Sequence, residues 1–145
     1  MNIRVLLVDD EKEFVNSLAE RLRIRDVDVS VAFSGEDALG QLDEFNFDVV
    51  ILDVNMPGIS GIDTLKEIKK KNPITEVLML TGQGTIDTAI EGMKQGAFDF
   101  LIKPCEIDKL MEKIKSAYER KSGQDEKIKE ALADKLSTSP LSVFE

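Results

Sequence analysis

The chain has 145 residues, 42% of them hydrophobic, which suits one ordinary domain with its own core. A net charge of -9 argues against a nucleic-acid surface, and the absence of histidine excludes His-based metal sites, Ser-His triads and a phosphohistidine carried by this chain. The single cysteine, Cys105, excludes an internal disulfide and fits a reducing compartment.

The elements alternate along the chain. "IRVLLV" (3–8) predicts a buried strand that starts too early to leave room for a signal peptide, and 11–24 has helical spacing at Phe14, Leu18 and Leu22. "VDVSVA" (27–32) reads as a second strand, and Ser34 is placed to cap a short helix over 34–42. "DVVILD" (48–53) is continuously apolar until its last residue, as expected of a strand covered on both faces. A turn, "NMPGISG", leads to a helix over 62–71 that Asn72 and Pro73 close. The lysines of its "KEIKKKN" stretch form a solvated outer face, with Leu65 and Ile68 turned inward. Strands follow at 76–81 and 99–102, with helices at 86–95 and 106–121. Gly123 is expected to interrupt the last helix, a helical pattern resumes over 124–136 through Ile128, Leu132 and Leu136, and the end is expected to be loose.

Five strands alternating with five helices imply parallel βαβ units and a doubly wound α/β sheet. No apolar run is long enough to cross a bilayer, so a soluble cytoplasmic protein is expected.

In such a sheet, ligands sit beyond the carboxyl ends of the strands. Asp9 and Asp10 follow the first strand, Asp53 ends the third, Thr81 ends the fourth and Lys103 follows the fifth. Three clustered carboxylates repel one another unless a cation neutralises them, and all-oxygen ligation suits magnesium, which retains waters and shares a phosphate oxygen. A carboxylate so held can attack phosphorus and become an aspartyl phosphate, with Lys103 supplying charge and Thr81 a hydrogen bond. Taken singly, Asp9 and Asp10 are equally good helix caps and Asp53 a turn residue. Their convergence with Thr81 and Lys103 on one rim is what favours the chemical reading.

The stretches "VLLVDDE" (5–11), "DVVILDVNMPGISG" (48–61), "VLMLTGQG" (77–84) and "GAFDFLIKP" (96–104) resemble the receiver domain of two-component response regulators, most closely receivers of nitrogen-regulation-type activators. The resemblance covers 2–121 and leaves 122–145 as a helical tail or linker remnant. It implies a flavodoxin-like five-stranded parallel sheet in the order 2-1-3-4-5. It implies Asp53 as phosphoacceptor, and Asp9, Asp10 and Asp53 with the Asn55 backbone carbonyl as the magnesium site, manganese substituting. It implies Thr81 and Phe100 as the switch pair, Gly82 and Lys103 at the phosphate, and a cis Lys103-Pro104 bond. Asn55 and Gln83 occupy positions that look rate-modulating in the family. Cys105 departs from the bulky apolar residue common after Lys-Pro and reads as packing.

The implied partner is a sensor histidine kinase or a histidine phosphotransfer protein, with no nucleic acid or membrane contacted directly. The resemblance implies a signalling domain rather than an enzyme, one that takes phosphate from small donors and loses it slowly. A phosphorylation-dependent homodimer stays open. So does a role for the tail in dimerisation or docking. The alternative is a phosphate-independent module for binding or dimerisation. A flavin carrier is disfavoured because "VDDEKEF" would repel its phosphate. A haloacid-dehalogenase-like phosphatase is disfavoured by Asn55 where a second acid is needed.

Overall fold

Strands that are apolar at nearly every position need cover on both faces, and the architecture supplies it. The computed structural model describes residues 2–82 and 86–138, the side chains of 134–138 excepted. Strands β1 (Arg4–Val8), β2 (Asp28–Ala32), β3 (Val49–Asp53), β4 (Glu76–Thr81) and β5 (Asp99–Ile102) alternate with helices α1 (Lys12–Ile24), α2 (Gly35–Glu44), α3 (Gly61–Lys71), α4 (Ile86–Lys94) and α5 (Ile107–Thr138). Every strand pair is parallel, in the order β2-β1-β3-β4-β5.

Alternate strand residues feed two cores, because successive side chains point to opposite faces. Val5, Leu7, Val49, Ile51, Leu78 and Leu80 pack with Val15, Leu18 and Leu22 of α1 and with Leu110 and Ile114 of α5. Leu6, Val8, Val50, Leu52, Val77 and Met79 pack with Ala38 and Leu42 of α2 and with Leu65 and Ile68 of α3. The lysine-rich stretch of α3 does keep Leu65 and Ile68 inside.

Helix starts follow cap chemistry. Ser34 Oγ accepts from Asp37 N at 3.0 Å and Ser60 Oγ from Asp63 N at 3.1 Å, each satisfying an amide that the helix cannot. Gly61 opens α3 where the chain doubles back on β3. A Cβ there would meet the Asp53 carbonyl oxygen at 2.4 Å and Val54 Cα at 2.6 Å, both backbone atoms.

One expectation fails at the C-terminal end. Gly123 does not interrupt the last helix: α5 runs unbroken for 32 residues. Glycine weakens a helix by about 1 kcal/mol but ends it only where a cap takes over the carbonyls. Here the ion pair Lys121–Asp125, 2.9 Å, spans the glycine at i, i+4, and Lys121 also reaches Asp48 at 3.1 Å. The expectation of a loose end covers 137–145: its first two residues still belong to α5, and 139–145 lie outside the described residues, as do Gln83 and the side chain of Leu136.

Below α5, at the amino ends of the strands, lies a buried carboxylate. Glu76 opens β4 fully enclosed, with Lys69 Nζ of α3 at 3.3 Å and Arg120 Nε of α5 at 2.8 Å. These two cations compensate a charge that would otherwise be costly to bury.

Candidate functional site

Strand register brings scattered residues to one rim. Val8 lies beside Leu52, Asp53 beside Leu80 and Thr81 beside Ile102, so Asp9, Asp53, Thr81 and Lys103 emerge at one level. Asp9 N donates to Ala32 O at 3.1 Å and Lys103 N to Thr81 O at 2.7 Å, which extends the sheet ladder just past the strand ends. The peptide bond after Lys103 is cis to Pro104, as the resemblance implied.

Asp9 is fully buried, Asp53 is 4% exposed and Asp10 is exposed. One carboxylate oxygen from each lies within 4.8 Å of the others. Asp9 Oδ1 accepts from Glu11 N at 3.0 Å, so this acid caps locally while its other oxygen faces the rim. The N-cap of α1 itself is Glu11, without a side-chain cap bond. Asp53 Oδ1 accepts from Asn55 N at 3.3 Å.

Among the described residues, Lys103 is the cation that meets this cluster, its Nζ 2.6 Å from Asp9 Oδ2, 3.6 Å from Asp53 Oδ2 and 3.8 Å from Glu11 Oε1. It does not balance the acids. Burial first, and then the charge of Asp9, push the Asp53 carboxyl up from 3.8 to about 6, against the pull of Lys103 and the Asn55 amide. A site of oxygen donors only, with an acid that retains its proton to near neutrality, fits a hard divalent cation. The ammonium against Asp9 marks where positive charge is stabilised.

The remaining expected residues are placed as follows. The Thr81 side chain is buried at the end of β4, with Oγ1 donating to Gly82 O at 3.0 Å. Among the described residues, a Cβ on Gly82 would meet nothing within 4 Å. Phe100 is half-buried on β5 against the second core, which makes it a packing residue with one side toward solvent. Asn55 is exposed in the turn after β3. Cys105 packs against the first core, as expected of a packing residue, and burial raises its thiol pKa.

Three contacts at the rim escaped the reading of the sequence. Glu11 reaches Lys103, as given above. The ring of Phe14 lies 4.6 Å from Lys103 Nζ. Glu36 Oε1 of α2 accepts from Ile59 N at 2.9 Å and steadies the turn after Asp53, where Gly58 takes a φ of 78°. Phe14 had a sequence signal only as a helical core position. Glu36 had none, because the contact spans 23 residues and depends on how α2 sits.

The fold and the rim define a doubly wound α/β domain with an acid cluster at the switch point of its strand order. Residues 5–115 match the family model described as response regulator receiver domain, and the chain belongs to that family of phosphoacceptor signalling domains of two-component systems. It is 44% identical over 115 residues to the transcriptional regulatory protein ZraR of Salmonella typhimurium, covering 79% of this chain and 26% of that one. To the regulatory protein LuxO of Vibrio cholerae it is 34% identical over 116 residues, 80% of this chain and 26% of that one. The chain thus spans about a quarter of the length of these curated relatives. Among solved structures, a receiver domain protein from Clostridium thermocellum is 39% identical, with a TM-score of 0.80 over 83% of this chain and 97% of that chain. NtrX from Brucella abortus in complex with ADP is 31% identical, with a TM-score of 0.81 over 96% of this chain and 31% of that one. The likeness to receivers of nitrogen-regulation-type activators therefore holds. Among the described residues no helix is long and apolar enough to cross a membrane.

Proposed function

We propose that Asp53 accepts a phosphoryl group from a histidine of a sensor kinase or phosphotransfer protein. The observation that carries this reading is a nearly buried carboxylate at a strand end, flanked by two further acids and one lysine. An Asp53 oxygen attacks phosphorus in line. The P–N bond to the donor imidazole breaks, its electron pair stays on nitrogen, and the imidazole takes a proton from solvent.

Asp9, Asp10, Asp53 and the Asn55 carbonyl are the residues that would hold magnesium, or manganese in its place. When bound, the ion neutralises the acids and the phosphoryl oxygens. β3 holds Asp53 in place, Lys103 places positive charge beside the group transferred, and the Thr81 hydroxyl supplies a hydrogen bond beside Gly82. Movement of Thr81 toward the phosphate, with Phe100 following, alters the face formed by α4, β5 and α5 and shifts an equilibrium already present. Residues 2–121 form the receiver unit and 122–145 carry its helical tail or linker. The protein acts in the cytoplasm, where its kinase and output partners are reached.

Intact-protein mass after incubation with magnesium and acetyl phosphate tests the acceptor. Wild type is expected to gain one phosphate and Asp53→Asn none. A wild type that stays unmodified while folded and metal-bound would favour the phosphate-independent module instead.

A further inference from the structure

A lysine carries its charge on a flexible four-carbon stem, so something has to hold its aim. Two kinds of partner hold Lys103. The first are carboxylates, Asp9 at 2.6 Å, Asp53 at 3.6 Å and Glu11 at 3.8 Å. The second is neutral: Lys103 Nζ sits over the ring of Phe14, 4.6 Å from its centroid and well inside the roughly 6 Å reach of a cation–π contact. Phe14 stands on the first turns of α1 and is partly buried against the core that seats this helix on the sheet. Its ring also lines a shallow groove with Leu18, Arg21, Pro104 and Cys105, so the contact joins α1 to the loop after β5.

The two holds differ in what weakens them. A divalent cation at the rim would draw on the charge of Asp9 and Asp53, and their grip on the ammonium would fall accordingly. The quadrupole of an aromatic ring is unaffected by that competition. We propose that Phe14 is a positioning residue, whose ring keeps the Lys103 ammonium aimed at Asp53 when a cation engages the carboxylates. The proposal rests on the reading of Lys103 as the cation beside the transferred phosphoryl group. A residue that only filled the core at this position would be replaceable by leucine.

Two measurements on the full chain test it, with Phe14→Leu removing the ring and Phe14→Tyr retaining it. The first needs no phosphate: limited acetylation by acetic anhydride at one fixed pH, run with and without magnesium and compared between variants in the magnesium-loaded samples, with the labelling rate of Lys103 read by peptide mass. Lys121 serves as the internal reference, because its side chain is equally exposed at 19% and lies at the far end of the sheet. Lys103 is expected to label about two- to fivefold faster in Phe14→Leu, the span of a partly exposed cation–π contact, with Lys121 unchanged and Phe14→Tyr like wild type. The second is the rate of phosphorylation by acetyl phosphate with magnesium, expected to fall by a similar factor in Phe14→Leu and to recover in Phe14→Tyr. Equal Lys103 labelling in Phe14→Leu and wild type overturns the proposal. So does equal acceleration of Lys121, which would mean general loosening, or a tyrosine variant that behaves like the leucine one. If the labelling differs as expected but wild type takes no phosphate, the acceptor reading falls, and the role of Phe14 falls with it.

Discussion

At the scale of single residues, the rim stores an electrostatic cost in Asp53. Its carboxyl binds a proton more tightly in the folded protein, near pH 6, than in the unfolded chain, near 3.8. A folded pKa above the unfolded one means that stability declines as pH rises through about 4 to 6 and stays lowered above that window. Asp53→Asn removes the cost. Urea unfolding is therefore expected to show Asp53→Asn more stable than wild type at about pH 7.5, by about 1–2 kcal/mol once screening at the rim is allowed for, and no more stable at about pH 4. A gain of equal size at both pH values would mean that the asparagine packs better rather than that a charge has gone. The acids behind this effect, with their partners, were legible in the sequence because four of the five strands announce their ends: an apolar run stops at Asp9, Asp53, Thr81 or Lys103. Glu11, Phe14 and Glu36 were not legible in their roles. Their contacts depend on the seating of α1 and α2, which no local pattern encodes.

At the scale of elements, the strands were readable to within a residue or two, since continuous apolar runs have few alternatives between helices. The end of α5 was misread, because a glycine is only a weak stop. Helix propensity near Gly123 is lowered by about 1 kcal/mol, while Lys121 bonds both Asp48 and Asp125 and carries the helix across. A Cβ at Gly123 would meet nothing within 4 Å. Gly123→Ala is accordingly expected to slow amide exchange through 122–133 by roughly fivefold, the equivalent of about 1 kcal/mol, and to raise helicity in circular dichroism. A glycine serving as a C-cap would give the opposite sign, because alanine resists the left-handed conformation such a cap requires. The buried Glu76 belongs to this scale too. In sequence it is an unremarkable first residue of a strand, and only the meeting of α3 and α5 over the foot of β4 shows why Lys69 and Arg120 accompany it.

At the scale of the whole molecule, charge is divided between two ends of the sheet. At the amino ends of the strands, Glu76 and Asp48 are matched by Lys69, Arg120 and Lys121, so acids and bases there nearly cancel. At the carboxyl ends, Asp9, Asp10, Asp53 and Glu11 face Lys103, and the surplus is negative like that of the chain as a whole, -9. The molecule is thus held firmly at one end and electrostatically unsatisfied at the other. Any cation that binds the folded rim and not the unfolded chain must stabilise the fold by RT ln(1 + [L]/Kd), about 2.7 kcal/mol at a hundredfold excess over Kd. Magnesium is expected to raise the melting temperature at about pH 7.5 when ionic strength is matched with sodium chloride, which screens but does not fill the site. Asp10 offers the cleanest control. It is exposed and sits outside the cores, so Asp10→Asn should leave the metal-free melt within about 0.5 kcal/mol of wild type while removing most of the magnesium shift. The shift should also fade as pH falls through about 6, because a proton on Asp53 then competes with the metal. A magnesium effect that survives in Asp10→Asn, or that sodium chloride reproduces, would trace the stabilisation to general screening of the -9 charge and remove the rim from the account.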